Sequence, residues 1–327
     1  MENIQVKDIW KLQLHIHVLG YYPEGESILI VLYDNSTQKL LKSILVDCYE
    51  SNNINRVDKI LNQYGIQNKK LDYVIWTHPD RDHSVGYANI VSNYSSKNTL
   101  YILPEGLTFW EVINDWDKFK SWIAITKNKM IGKCNVERVN TSNRRSYPLE
   151  YSTTYYDGVN KDVDFTIEIL TPFASQVFRH VEYNKTHKGN HMSISLVIRL
   201  ARLGFYFGGD TENMAIRKID ANKFEDLFFV KIPHHGSNTS DQLPVILNNL
   251  HNDEGLFIIS VSTGYHKGNS DLPLNTVLDL YKSCSSSILK TEDDSHRNGF
   301  GIWSCKYDRT SSYPWIFQEE GDVMVYY

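Results

Sequence analysis

Cysteine is scarce in this sequence and badly placed for pairing. The four present, Cys48, Cys134, Cys284 and Cys305, stand far apart with no paired spacing. That excludes a disulfide scaffold or a thiolate zinc site and fits a reducing, cytoplasmic setting. Long apolar runs are missing too. None reaches the roughly 20 residues that span a bilayer, and the opening "MENIQVKDIW" lacks the basic-then-apolar pattern of an export signal. Nor is there an excess of positive charge: 34 Lys and Arg stand against 39 Asp and Glu, for a formal net charge of −5. A polyanion would therefore have to be met by a local patch rather than by general attraction. One such patch is "KNKMIGKCNVERVNTSNRRS", residues 127–146, where six basic residues face the single Glu137. What the chain does have is an ordinary globular composition, 41% hydrophobic and 22% charged, enough for a sizeable core.

The pattern opens on strands. "KLQLHIHVLG" puts Leu12, Leu14, Ile16 and Val18 on one face and Gln13, His15 and His17 on the other, which reads as solvent-facing. "SILIVLYD" and "KSILVDCYE" continue the β-rich run. "INRVDKILNQYGI" has helical spacing and closes on Gly65, and "LDYVIWTH" is a buried-strand run delivering His78 at its C-terminal end. Further on, "FWEVINDWDKFKSWIAITKNKM" reads as one helix with Trp110, Trp116 and Trp122 shielding core. Residues 133–162 are polar, with "SNRRSYPLEYSTTYYDGVNK" reading as an insertion or mobile loop, and "SISLVIRLARLGFYFGGD" reads as a hairpin turning near Gly204. "DLFFVKIPHHGS", "GLFIISVSTG" and "SSILKT" are three more apolar strands, and the tail "SYPWIFQEEGDVMVYY" reads as a final strand or a docking strand. No repeat or linker appears, so residues 1–327 read as one domain with an insertion around 105–165.

Four strand ends carry chemistry. "THPDRDH" crowds His78, Asp80, Asp82 and His83 into six positions, and a tight loop of imidazoles and carboxylates can replace the water shell of a divalent cation. Pro79 stiffens the turn, and Gly86 lets the chain leave it steeply. "FGGD" brings Asp210 off a very apolar strand, where a carboxylate is costly unless exposed or paired. "KIPHHGSNTS" offers His234 and His235, and "GNHMSISLV" offers Asn190 and His191. Each of the last three has an ordinary alternative as a turn, a cap or a surface residue. The six-residue cluster after a strand is harder to explain by packing.

In these motifs the chain resembles the metallo-β-lactamase-fold hydrolases, whose loop usually runs His-x-His-x-Asp-His. The set "THPDRDH", "NHMSISLV", Gly209-Asp210 and "KIPHHGS" is similar to the ComEC-like branch, typified by the hydrolase domain of a competence protein. The resemblance covers roughly residues 11–308. It implies an α/β (α+β) fold, an αββα four-layer sandwich of two mixed β-sheets flanked by helices, with a dinuclear metal site along one edge. Carried over, His78 and Asp80 would bind one divalent ion and Asp82 and His83 the other, with Asp210 bridging. One of His234 and His235 would complete the second site. The set put forward is His234 as ligand, His235 and Asp82 as catalytic groups, Asn190 or His191 as a further metal or substrate contact, and Lys231 and Ser237 at the substrate. Two cations, zinc or manganese, would activate water for a phosphodiesterase or nuclease acting on nucleic acid, with a partner protein such as an ATPase. The alternatives are a small-molecule (phospho)ester hydrolase or an inactive binding and regulatory module. The latter is motivated by departures from the branch at "DCYES" and "GNSDLP"; "PEGES" is a further departure.

Overall fold

The computed structural model describes residues 12–35, 37–52, 54–66, 70–141, 146–154, 160–182, 189–200, 203–250, 258–292, 295–308 and 315–327. One sheet is built from β1 (Leu12–Tyr21), β2 (Glu26–Asp34), β3 (Lys39–Val46), β4 (Tyr73–Ile75), β5 (Leu100–Pro104), β6 (Asn135–Val139), β14 (Phe300–Asp308) and β15 (Trp315–Gly321). The other holds β7 (Ser146–Thr154), β8 (Asn160–Ile169), β9 (Leu196–Leu200), β10 (Leu203–Phe207), β11 (Leu227–Lys231), β12 (Ile259–Ser262), β13 (Ser287–Lys290) and β16 (Met324–Val325). Their orders among the described residues are β15-β14-β1-β2-β3-β4-β5-β6 and β16-β13-β12-β11-β10-β9-β8-β7. Both sheets are mixed. β3, β4, β5 and β6 run parallel, as do β10, β11, β12 and β13.

The alternation in the sequence explains the layering. Leu14, Ile16 and Val18 of β1, and Ile28 and Ile30 of β2, meet Phe165, Ile198, Phe207 and Phe229 of the facing sheet in one core. Residues one step along point outward instead. Leu29, Val31, Leu45 and Val74 lie under α1 (Arg56–Gln63) and α2 (Tyr87–Tyr94), through Val57, Ile60, Leu61, Ile90 and Val91. On that side α3 (Phe109–Val112) and α4 (Trp116–Met130) add Val112 and Ile125. Behind the second sheet, α5 (Gln242–Leu250) and α6 (Asn275–Tyr281) cover Tyr206, Val230 and Ile288 with Leu243, Leu247, Leu278 and Tyr281. Helices outside and two sheets inside make the αββα sandwich. Among the described residues no helix is long and apolar enough to cross a membrane.

Several local expectations are corrected. The tryptophan-rich stretch is two helices, because Asp115 caps a new one by accepting the N–H groups of Asp117 and Lys118. The break resets the helical phase, so Trp110 and Trp116 are each 65% exposed rather than core-shielding. The stretch Ser146–Thr154, expected in a loop, is edge strand β7 paired to β8, and the polar residues before it include edge strand β6 paired to β5. Residues 142–145, with Arg144 and Arg145 of the basic stretch, lie outside the described residues, as do 155–159. The hairpin expected near Gly204 is present, β9 and β10 pairing antiparallel with Gly204 one residue inside β10, opposite Arg199. His15 and His17 are half-buried under Tyr64, whose hydroxyl meets His15 Nδ1 at 2.6 Å and His17 Nε2 at 2.9 Å. Burial, reinforced by His15, lowers the His17 imidazole to about 3.

Phe229 is fully buried at the centre of the inter-sheet core, stacked 5.7 Å from Trp303. Phe229→Ala should cost about 3–5 kcal/mol, read as a lower urea midpoint with unchanged slope.

Candidate metal centre

Parallel strands in both sheets end at the same edge, so the loops after them converge there. Asp47 follows β3, the His78–His83 turn follows β4, Asp210 follows β10, His234 and His235 follow β11, and Thr263 follows β12. Glu26 begins β2 and Asn190 precedes β9, both strands antiparallel to a neighbour that ends at this edge. His83 and His235, 152 positions apart in the chain, thus become neighbours.

The first turn is held by its own backbone and by two buried anchors. His83 N donates to Asp80 O at 3.2 Å, and Trp76 Nε1 donates to Ser84 Oγ at 3.0 Å. Gly86 has an ordinary φ of −86°, so backbone freedom is not why glycine stands there. A Cβ on it would lie 2.5 Å from Cys48 Sγ, and close approach is the reason. The His234-His235 turn is different: both residues take left-handed φ, 48° and 52°, costing roughly 1–2 kcal/mol each. That twist, fixed by His234 N donating to Gly209 O at 2.8 Å, sends two consecutive rings to opposite sides of Asp210.

Every imidazole of the cluster is tethered at Nδ1. His83 Nδ1 donates to Asp47 Oδ2 at 2.7 Å. The Thr77 hydroxyl gives its proton to Asp47 (2.6 Å) and so can only accept from His78 Nδ1 (2.9 Å). Thr263 gives its proton to Glu26 (2.6 Å) and accepts from His235 Nδ1 (2.9 Å). His234 Nδ1 meets Thr239 Oγ1 at 2.7 Å. With Nδ1 engaged, the lone pair falls on Nε2, and the four Nε2 atoms turn inward around Asp210, that of His234 also meeting Asn190 Nδ2 at 3.1 Å.

Asp210 divides the cluster. Its Oδ1 lies 3.3 Å from His83 Nε2 and 3.6 Å from His235 Nε2, with Asp82 Oδ2 at 2.9 Å from His235 and 3.2 Å from His83. Its Oδ2 lies 3.4 Å from His78 Nε2 and 3.8 Å from His234 Nε2, with Asp80 Oδ2 3.8 Å from His78. Ligands about 2.1 Å from a tetrahedral ion stand roughly 3.4 Å apart, so the first group fits closely and the second a little loosely. His83 Nε2 and His235 Nε2 are themselves 3.3 Å apart, and two ring N–H groups cannot point at each other there. Buried Asp210 Oδ1 and His78 Nε2 take no hydrogen bond from any described residue. A cation answers all three facts, and these residues fit it. Asp82, His83, Asp210 and His235 form one buried ligand group, and Glu26, Asp47 and His83 another cluster behind it.

The model of the metallo-beta-lactamase superfamily matches residues 41–246, which include the first turn, Asp210 and both histidines of the later one. The chain belongs to that superfamily. No curated protein matches it. With the fold and the buried His/Asp cluster in hand, this metallo-beta-lactamase-superfamily chain is a metal-dependent hydrolase.

The remaining candidates divide clearly. Asn190 turns toward the cluster, donating to His234 Nε2 at 3.1 Å, whereas half-buried His191 is not among the described residues lining the cleft. His235, put forward as a catalytic group, is the histidine grouped with Asp82 and His83, while His234, put forward as the ligand there, faces the His78 side. Ser237 lines the cleft. Lys231, expected at the substrate, is instead sealed beneath the site, paired with Glu26 Oε2 at 2.8 Å with neither side chain exposed. Burial raises the Glu26 carboxyl, but Lys231, His83 and His235 outweigh it and the net direction is down. Glu26, Asp47 and Thr263 were missed by motif reading. The only sequence signal was that Glu26 and Asp47 fall in "PEGES" and "DCYES", two of the departures from the branch pattern.

Above the cluster lies a cleft of about 420 Å³, with Asp80, Asp82, Asp210, His234 and His235 below and Tyr265, Asn269, Asp271 and Leu272 on the far wall. None of the described residues lining it is a lysine or arginine.

Burial alone would lower the His83 imidazole, but Asp82, Asp210, Asp47 and Glu26 carry it well above its ordinary value, and His235 also ends up raised. A raised folded-state value stabilises the metal-free protein fully below the unfolded value near 6.5, and that contribution is lost as pH rises through the folded value. A cation competes for the same lone pairs. The gain in Tm on adding Mn²⁺ or Zn²⁺ should therefore be larger near pH 8 than near pH 6 in thermal-shift measurements. Asp47→Ala should weaken metal binding roughly 10–100-fold by calorimetric titration while leaving every first-contact residue in place.

Proposed function

We propose that this hydrolase is a dinuclear phosphodiesterase acting on nucleic-acid strands, a soluble-type relative of the ComEC-like branch. The observation that carries the reading is the split of Asp210 between two ligand groups, one oxygen toward His83 and His235 and the other toward His78 and His234. Asp82, His83, Asp210 and His235 would hold one divalent ion. His78, Asp80, Asp210 and His234 would hold the other, with Asn190 beside His234 Nε2. When bound, such a pair makes water acidic enough to attack near neutral pH and neutralises charge growing on a phosphoryl group. Oxygen from Asp80 in place of a histidine favours manganese as well as zinc at the His78 side.

The protein's own groups do the rest. Asp82 is buried between His83 and His235, and although burial alone would raise its carboxyl, those two rings keep it ionised. An ionised, fixed carboxylate orients attacking water by accepting its hydrogen bond. Ser237, at the cleft wall, would meet a phosphate oxygen. Sealed Lys231 acts on Glu26 and through Thr263 on the His235 ring, not on substrate.

The test is hydrolysis of single-stranded DNA, RNA and bis(p-nitrophenyl) phosphate by protein loaded with Mn²⁺ or Zn²⁺. Asp82→Ala should lower turnover by roughly a thousandfold, about 4 kcal/mol of transition-state stabilisation, and Asp210→Asn should reduce bound metal below two equivalents. Cleavage of the small diester with every polynucleotide left intact would replace the nucleic-acid reading with a small phosphodiester substrate. Full biological effect in Asp82→Ala would remove the enzymatic reading altogether.

A further inference from the structure

The outer face of α4 carries a stripe that the fold leaves uncovered. Trp116, Lys120, Ile123, Lys127 and Met130 recur at alternating steps of four and three, so they share one face. All five are exposed, with Trp116 at 65% and Met130 at 82%. The stripe is about 21 Å long at 1.5 Å per residue. At its N-terminal end an aromatic cluster widens it: Trp116 lies 5.8 Å from Phe119, Phe119 lies 5.7 Å from Phe109, and 65%-exposed Trp110 adjoins Phe109.

That end is fastened to the metal turn. Arg81, between Asp80 and Asp82, donates to Asp115 Oδ2 at 2.9 Å and to Asp117 Oδ2 at 3.0 Å, the residues on either side of Trp116. The cleft itself offers carboxylates and no lining lysine or arginine, so phosphates flanking a scissile one must be met outside it.

We propose that the α4 stripe is a track for single-stranded nucleic acid leading to the metal cleft, with bases stacking on Trp110 and Trp116 and phosphates meeting Lys120 and Lys127. The proposal rests on the phosphodiesterase reading for its direction toward the cleft. Interleaved aromatic and cationic side chains suit a strand whose bases are unstacked and splayed. Lysine at every second position of the stripe does not suit a partner helix, which would need apolar side chains there. Two lysines on the stripe fall short of the cluster of roughly four to eight basic residues that marks recognition of an anionic membrane surface.

The experiment is fluorescence anisotropy of a labelled oligo-thymidylate titrated with the full chain in EDTA, where binding is read without hydrolysis. Trp110→Ala with Trp116→Ala should raise Kd roughly tenfold or more. Lys120→Ala with Lys127→Ala should flatten the log–log salt dependence by about 1.4. Lys39→Ala, on β3, should change neither. Melting temperatures identify any variant that has lost the fold, and Trp116→Phe should recover part of the lost affinity. Folded tryptophan variants that bind as tightly as the parent would overturn the track. So would variants that lose capture by phosphatidylserine vesicles while keeping oligonucleotide affinity. Strands bound through these residues but never cut by metal-loaded protein would leave the track standing and remove the reading of nucleic acid as the strand hydrolysed. Strands cut with Kd insensitive to the variants would do the reverse.

Discussion

Four imidazoles held from behind are what the rest of the molecule serves. A histidine presents a metal-seeking lone pair only when its other nitrogen keeps the proton, and each ring here has an acceptor at Nδ1: Asp47, Thr77, Thr263 or Thr239. Two of those threonines accept because their own protons go to Asp47 or Glu26. The carboxylates beneath the cluster therefore set the state of rings they do not all touch. Asp47 alone orients His83 directly and His78 through Thr77.

This arrangement is expensive for a buried edge. Glu26 and Lys231 are wholly enclosed, and burying an ion pair brings little net stability after desolvation. Two consecutive histidines sit in left-handed backbone, and acidic groups crowd Asp210. The surrounding core offsets those costs. Ile28, Ile30, Phe207, Phe229 and Trp303 are packed between the sheets without solvent contact worth the name. A rigid sandwich lets strained loops hold one geometry, because the strands that carry them cannot shift independently.

Electrostatics then separates two jobs. The cleft is acidic before any cation enters, which suits ion capture and disfavours a polyanion at its walls. Among the described residues, Lys127, Lys129, Lys133 and Arg138 of the basic stretch do not line the cleft; Lys127 and Lys129 stand in the last turn of α4, whose opposite end is pinned to Arg81. Helix α4 therefore joins a cationic region to the metal turn by its own length.

Much of this was legible along the chain. Alternating Leu12, Leu14, Ile16 and Val18 specify a strand with one buried face, and helical spacing in 56–63 specifies α1, because burial of apolar side chains follows the local period. Six positions from His78 to His83 are close in space wherever they fold, so a tight loop of ligands needs no partner to be recognised. The tryptophan stretch misled because Asp115 could be read as one more polar residue of a helix, yet it caps a new one and turns Trp116 outward. Edge strands β6 and β7 were hidden because pairing at a sheet margin asks little of the side chains.

The sequence by itself determined the apolar strands, the ligand-bearing loops and the apolar layers, since these follow from local periodicity and short spacing. Only the tertiary structure decided that Asp47 and Glu26 stand behind the rings, that Lys231 faces inward, and that His235 rather than His234 joins Asp82 and His83. Those outcomes depend on which loops two sheets bring to one edge and on a left-handed backbone turn, and neither is written in the order of residues alone.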